Sequence, residues 1–153
     1  MPLLTVGGME QDKDRLDRLR GTIIGCAIEV HRRLGPGLLE SIYKSSMAIE
    51  LDLAGLTFQL NREVPVVYRG RPLAGNLVMD VLVEDLIVLE LKSVAALAAV
   101  HTAQVITYLK LSGRPSGLLL NFNTATMKQG IRRVMHPDLY EPAWSTSTIV
   151  RTP

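Results

Sequence analysis

Cysteine is almost missing from this chain. Cys26 is the only one among 153 residues, which excludes an internal disulfide and any cysteine-built metal cluster. Its neighbours Ile23, Ile24, Ala27 and Ile28 predict a buried thiol that packs as a small hydrophobe. Aromatic residues are scarce at 5%, and no series of them is spaced to stack bases. Trp144 falls in the C-terminal tail. No apolar run approaches the roughly 20 residues that span a bilayer. The opening "MPLLTVGGMEQDKDR" lacks the basic start and long apolar core of a secretory signal, so a cytoplasmic protein with no membrane partner is the expectation. Excess charge is small as well, with a formal net charge of +2. That balance neither argues for a nucleic-acid partner nor excludes a locally basic surface. There is no P-loop, no dinucleotide-type glycine pattern opening a helix, and no zinc-type His/Cys spacing.

What is present suits one domain of ordinary size. Hydrophobic residues make up 47% of the chain, enough for a real core. Residues 1–11 read as a flexible N-terminal arm with Gly7-Gly8 as its joint. From Asp12 to Leu34, the residues Leu16, Leu19, Ile23, Ala27, Val30 and Leu34 recur at steps of three and four, one stripe of an amphipathic helix. "GPG" at Gly35–Gly37 ends it, since Pro36 cannot continue the hydrogen-bond ladder. A second helix is expected over about 38–54, closed by Gly55. Short runs rich in branched residues follow: "LTFQL", "EVPVVY", "LVMDVLV" and "LIVLELKSV", read as strands. A helix over 99–112, a buried strand "SGLLLNF" and a shorter element near 131–135 complete the domain over 12–140. The tail 141–153, rich in Ser, Thr and Pro, reads as extended or disordered. The fold class is therefore α/β, a mixed central sheet with helices packed against it.

The chemistry concentrates in "MDVLVEDLIVLELKSV". Alternation along a strand puts Glu90 and Lys92 on one face, with Leu89 and Leu91 on the other. Pairing about a two-residue Glu84-Asp85 loop sets opposite one another residues whose numbers sum to about 169. Asp80 then lies near both Leu89 and Glu90, and a one-residue bulge would decide whether the two carboxylates point the same way. Carboxylates this close repel unless a cation or proton intervenes. A hard divalent ion such as Mg²⁺ needs only one or two of them. It can polarise a phosphate oxygen and acidify a bound water, while a neighbouring ammonium stabilises the developing charge. The plainer alternative is a solvent-facing ion pair at a strand end.

Further motifs give the stretch a context. "LGPGLLESIY" carries Gly37, Glu40 and Tyr43; Asp80 precedes "ELK" at Glu90–Lys92; "HTAQVITYLKLSG" and "GLLLNF" follow in order. In this arrangement the sequence resembles the PD-(D/E)XK nuclease superfamily and, within it, the small GxxExxY proteins, from about Ile23 to Val134. The resemblance implies a restriction-endonuclease-like core. It implies Asp80 and Glu90 as ligands of Mg²⁺ or Mn²⁺, with Glu40 as a further acidic residue at the metal, and Lys92 acting on the attacking water. Gln104, Tyr108, Tyr43 and His101 would support the site. Gln104 and Tyr108 share a helix face by spacing alone, and His101 lies on it three residues earlier. Each residue also has a plainer role. Glu40 would favour a helix dipole in any first turn, the two tyrosines suit a core, and His101 suits a rim. Three positions depart from the pattern: Val78 stands where many relatives have arginine, Thr102 where an acidic residue is common, and Met79 where the nominal proline would be.

The sequence thus leads to a metal-dependent nuclease acting on DNA or RNA. The alternatives are a catalytically silent binding module on a nuclease-like scaffold, or an unrelated α/β protein whose "ELK" is a surface ion pair. Arg18, Arg20, Arg32, Arg33, Arg69, Arg71, Arg132 and Arg133 are the candidates for phosphate contacts if some of them converge. A homodimer would suit a small nuclease that must cut two strands.

Overall fold

The computed structural model describes residues 6–139. In chain order it comprises α1 (Val6–Leu34), α2 (Glu40–Leu53), β1 (Phe58–Tyr68), β2 (Arg71–Val83), β3 (Ile87–Lys92), α3 (Ala99–Ser112), β4 (Ser116–Asn121), a 3₁₀ turn (Met127–Gly130) and β5 (Ile131–Met135). The strands form one sheet in the order β1-β2-β3-β4-β5. Only β3 and β4 run parallel, and α3 supplies the crossover that a parallel pair requires. A mixed sheet flanked by helices is the architecture that the sequence implies. The "LTFQL" and "EVPVVY" segments prove to be one long strand. Helix α1 begins at Val6 and takes in residues expected as an arm. Once nucleated, a helix extends at little cost, so Gly7-Gly8 does not stop it. The tail 141–153 lies outside the described residues.

Period-two alternation in the strands divides the core into two layers. Val81, Val83, Ile87, Leu89, Leu91, Leu118, Leu120 and Phe122 pack under Leu16, Leu19, Ile23, Ala27 and Val30 of α1 and Tyr43, Met47 and Leu51 of α2. The opposite face, with Leu82, Val88, Leu119 and Val134, packs against Val105, Tyr108 and Leu109 of α3. Cys26 is buried in the first layer, as its neighbours predict. Leu34, although on the expected stripe, is 40% exposed at the end of α1. Helix α2 has its C-cap at Ala54, and Gly55 follows in the left-handed conformation at φ 75°, closing the helix as expected.

The β2–β3 loop departs from the expected two-residue turn, and the site depends on this. Glu84 and Asp85 both take positive φ, the geometry of a mirror-image hairpin turn, and the Leu86 amide donates to the Val83 carbonyl at 3.0 Å. Val83 nevertheless pairs with Ile87, so Leu86 is one extra residue. The register moves by one: Val81 faces Leu89, and the next step sets Asp80 opposite Glu90. Beyond this point β2 leaves β3 and continues with β1 alone. Residues 67–76, at the far end of that two-stranded ribbon, are all exposed.

Two glycines should respond in opposite directions to alanine. A Cβ on Gly130 would collide with the backbone carbonyl of Asn121, which cannot rotate away. Gly130→Ala is therefore expected to lower stability by about 1–3 kcal/mol or more. Gly21, in α1 with nothing near its Cβ position, should gain about 0.5–1 kcal/mol on the same change. Urea unfolding of both variants checks the pair.

Candidate active site

Glu90 lies on β3, the central strand, whose residues 87–91 are all buried. The alternation that points Val88 at α3 also points Glu90 there, and the corrected register brings Asp80 to the same side. Glu90 is 5% exposed, and its Oε2 is buried with no hydrogen-bond partner. Its Oε1 lies 3.4 Å from Lys92 Nζ. Desolvation first, and then the negative charge of Asp80, push the Glu90 carboxyl up to about 8 against the opposing pull of Lys92. Asp80 and Glu90 are close enough to hydrogen-bond when one holds a proton.

Asp80 sits at the fork where β2 parts from β3. Its Oδ2 accepts the Leu91 amide at 2.9 Å, so a side chain takes the hydrogen bond that further strand pairing would otherwise make. Its Oδ1 lies 2.9 Å from Lys44 Nζ. Lys44 reaches in from α2 and also donates to Asn61 Oδ1 at 2.7 Å. Asn61, at the position opposite Asp80 on β1, holds φ at 52°, a left-handed conformation that asparagine tolerates better than most residues.

From α3, Tyr108 closes the wall behind Glu90. The Tyr108 hydroxyl is held above its ordinary range by burial, then by the charge of Glu90, and less by that of Asp80. Gln104 donates to that hydroxyl at 2.9 Å, as the spacing of four predicts. Asp80, Glu90, Lys92, Tyr108 and Gln104 are thus assembled in one place, and the solvent-facing "ELK" does not describe this structure.

The remaining expected residues are placed differently. Glu40 stands at the rim in the first turn of α2, its Oε1 3.4 Å from the Ser93 amide. Among the described residues, no group of three or more His, Cys, Asp or Glu side chains is arranged to hold a metal, so Glu40 does not join Asp80 and Glu90 in a three-carboxylate cluster. Tyr43 is a structural residue. It is fully buried, its ring stacks on Phe122 at 4.5 Å, and its hydroxyl donates to the Gly35 carbonyl and accepts the Leu38 amide, tying down the "GPG" turn. His101 caps its own helix, with Nδ1 accepting the Ala98 amide at 2.9 Å.

Several of the arginines that might have met a phosphate are engaged elsewhere. Arg20 is buried against Asp17 and Ser116, Arg32 and Arg33 pair with Glu29, and Arg132 donates to Thr102. Lys44 and Asn61 were not foreseen. The available signals were the four-residue spacing of Lys44 from Glu40 and an asparagine in the middle of a strand run.

The family model of the PD-(D/E)XK nuclease superfamily matches residues 17–134. The chain belongs to the PD-(D/E)XK nuclease superfamily. No match to it was found among curated proteins or solved structures. Membership brings a nuclease-like scaffold, and the five-stranded mixed sheet with its flanking helices is consistent with the restriction-endonuclease-like fold of such nucleases.

Two mutually repelling carboxylates, with one buried oxygen left without a partner, form an all-oxygen donor set of the kind that a hard cation takes. The residues fit such an ion.

Two expectations follow. Glu90 has a folded pKa above its unfolded value, so its contribution to stability is full below about pH 4.5 and is lost as pH rises through about 8. In EDTA, Glu90→Gln should remove this loss, raising the melting temperature at pH 8.5 and changing it little near pH 5. Tyr43→Phe should cost about 1 kcal/mol in urea unfolding and, unlike changes at Glu90 or Lys92, leave any cleavage rate unchanged.

Proposed function

We propose that the protein is a divalent-metal-dependent nuclease, and that the "GLLESIY" motif places it with the GxxExxY group. One observation carries the reading: in a chain of this superfamily, Asp80 and a nearly dry Glu90 share one spot beside Lys92, and an oxygen of Glu90 has no partner. Asp80 and Glu90 would hold Mg²⁺ or Mn²⁺, and Glu40 stands at the rim of the same site. When bound, the ion supplies polarisation of a phosphate oxygen and acidification of a water. Lys92, whose Nζ lies 3.4 Å from Glu90 Oε1, serves to orient the attacking water and offset charge on the phosphate. Tyr108, with its hydroxyl fixed by Gln104, walls the site on the α3 side and limits water there. The nucleic acid is DNA or RNA.

One feature favours a second reading. Lys44 already offers Asp80 a positive charge inside the protein, which suits a silent scaffold that binds nucleic acid or protein without turnover. Cleavage of labelled single- and double-stranded DNA and RNA with Mg²⁺, Mn²⁺ or EDTA separates the two. Under the nuclease reading cutting needs metal, and Glu90→Ala and Lys92→Ala each lower it at least ~100-fold. Variants that cut like wild type would refute the site. Binding without cutting in any buffer would favour the silent scaffold.

A further inference from the structure

Both oxygens of Asp80 are engaged. The Leu91 amide donates to Oδ2 at 2.9 Å, and Lys44 Nζ lies 2.9 Å from Oδ1. Glu90 differs, since its buried Oε2 has no partner. The two carboxylates that would hold a divalent ion are therefore unequally ready for one: Glu90 offers an open oxygen and Asp80 does not.

The two contacts on Asp80 also differ in what can give way. The Leu91 amide belongs to the backbone of β3, the middle strand of the sheet, and is fixed. Lys44 carries its ammonium on a flexible four-carbon stem, and its side chain is 22% exposed. It can turn toward water without moving any backbone. A carboxylate oxygen can accept from two directions, but an ammonium and a divalent ion on one oxygen would stand within a few ångströms of each other. Like charges that close, in a partly buried site, repel strongly.

Two features distinguish this contact from a chance surface pair. The same Nζ donates to Asn61 Oδ1 at 2.7 Å, so the ammonium is held between acceptors from two neighbouring strands. Asn61 makes its contact from φ 52°, a left-handed backbone within β1, and residues held in such sparsely populated conformations gather at functional sites.

We propose that Lys44 is the resident counter-ion of the metal site, paired with Asp80 while no ion is bound and obliged to leave Oδ1 before one can take that oxygen. The inference rests on the nuclease reading of Asp80 and Glu90 and adds a control to it. Lys44 opposes metal binding, so the protein takes its ion only above a threshold concentration. Asn61 is neutral and keeps the displaced ammonium beside the site.

Binding of Mn²⁺ to the full chain, without nucleic acid, tests this apart from any activity. Calorimetry and electron paramagnetic resonance of the free ion give the affinity. Lys44→Met keeps an unbranched stem and removes the charge, and should bind Mn²⁺ at least about tenfold more tightly than wild type. Lys44→Arg keeps a positive charge and should bind as weakly as wild type. A wild-type structure determined with Mn²⁺ should show Lys44 Nζ withdrawn from Asp80 Oδ1 beyond hydrogen-bond distance, and it decides the question even if a variant fails to fold.

A Lys44→Met affinity no higher than that of wild type would overturn the role of Lys44 and leave the metal site standing. So would a Lys44 that stays on Asp80 beside a bound Mn²⁺. If neither wild type nor Lys44→Met binds Mn²⁺, or if Asp80→Ala binds it as well as wild type, the metal-site reading itself is refuted and this inference with it.

Discussion

Placing two carboxylates side by side away from water is costly, and the arrangement around Asp80 and Glu90 answers that cost from several directions. Glu90 cannot retreat to solvent, because β3 is the middle of five strands and is buried along residues 87–91. Asp80 cannot retreat either, because the Leu91 amide holds one of its oxygens and Lys44 the other. A proton or a cation must therefore make up the difference: burial first, and then the charge of Asp80, push Glu90 up to about 8. The parting of β2 from β3, the left-handed turn of Asn61 and the placing of Tyr108 are all arranged around this pair.

The site was legible in the sequence to the extent that it rests on residue type and order. Asp80, "ELK" and the Gln104–Tyr108 spacing needed only local periodicity and a motif order. Whether Asp80 and Glu90 face each other was not legible, because it depends on one added residue in a loop, and a single residue reverses the face of everything beyond it. Leu86 gave no compositional hint of its role as that residue.

Lys44 and Asn61 were out of reach for a different reason. Their meeting with Asp80 depends on how α2 lies against β1 and β2, a contact between parts of the chain distant in sequence. Tyr43 shows the converse: it is a motif residue whose hydroxyl serves a turn, and only packing reveals this. The helices and strands were placed well where the apolar period was strong, as in α3. They were placed poorly at the N-terminus, where a pair of glycines suggested a joint and helix propagation overrode the local preference.

The long β1–β2 ribbon has a consequence for how the molecule breathes. From residue 67 to 76 no side chain is buried and no third strand flanks the pair, so its outer hydrogen bonds have little packing behind them. Local opening needs only a small free energy there, whereas β3 and β4, enclosed on both faces, open only when the whole domain unfolds. The molecule is thus graded in rigidity along a single strand. The segment of β2 that carries Asp80 is anchored in the dry core, and nine residues earlier the same strand, at Arg71, is free to bend.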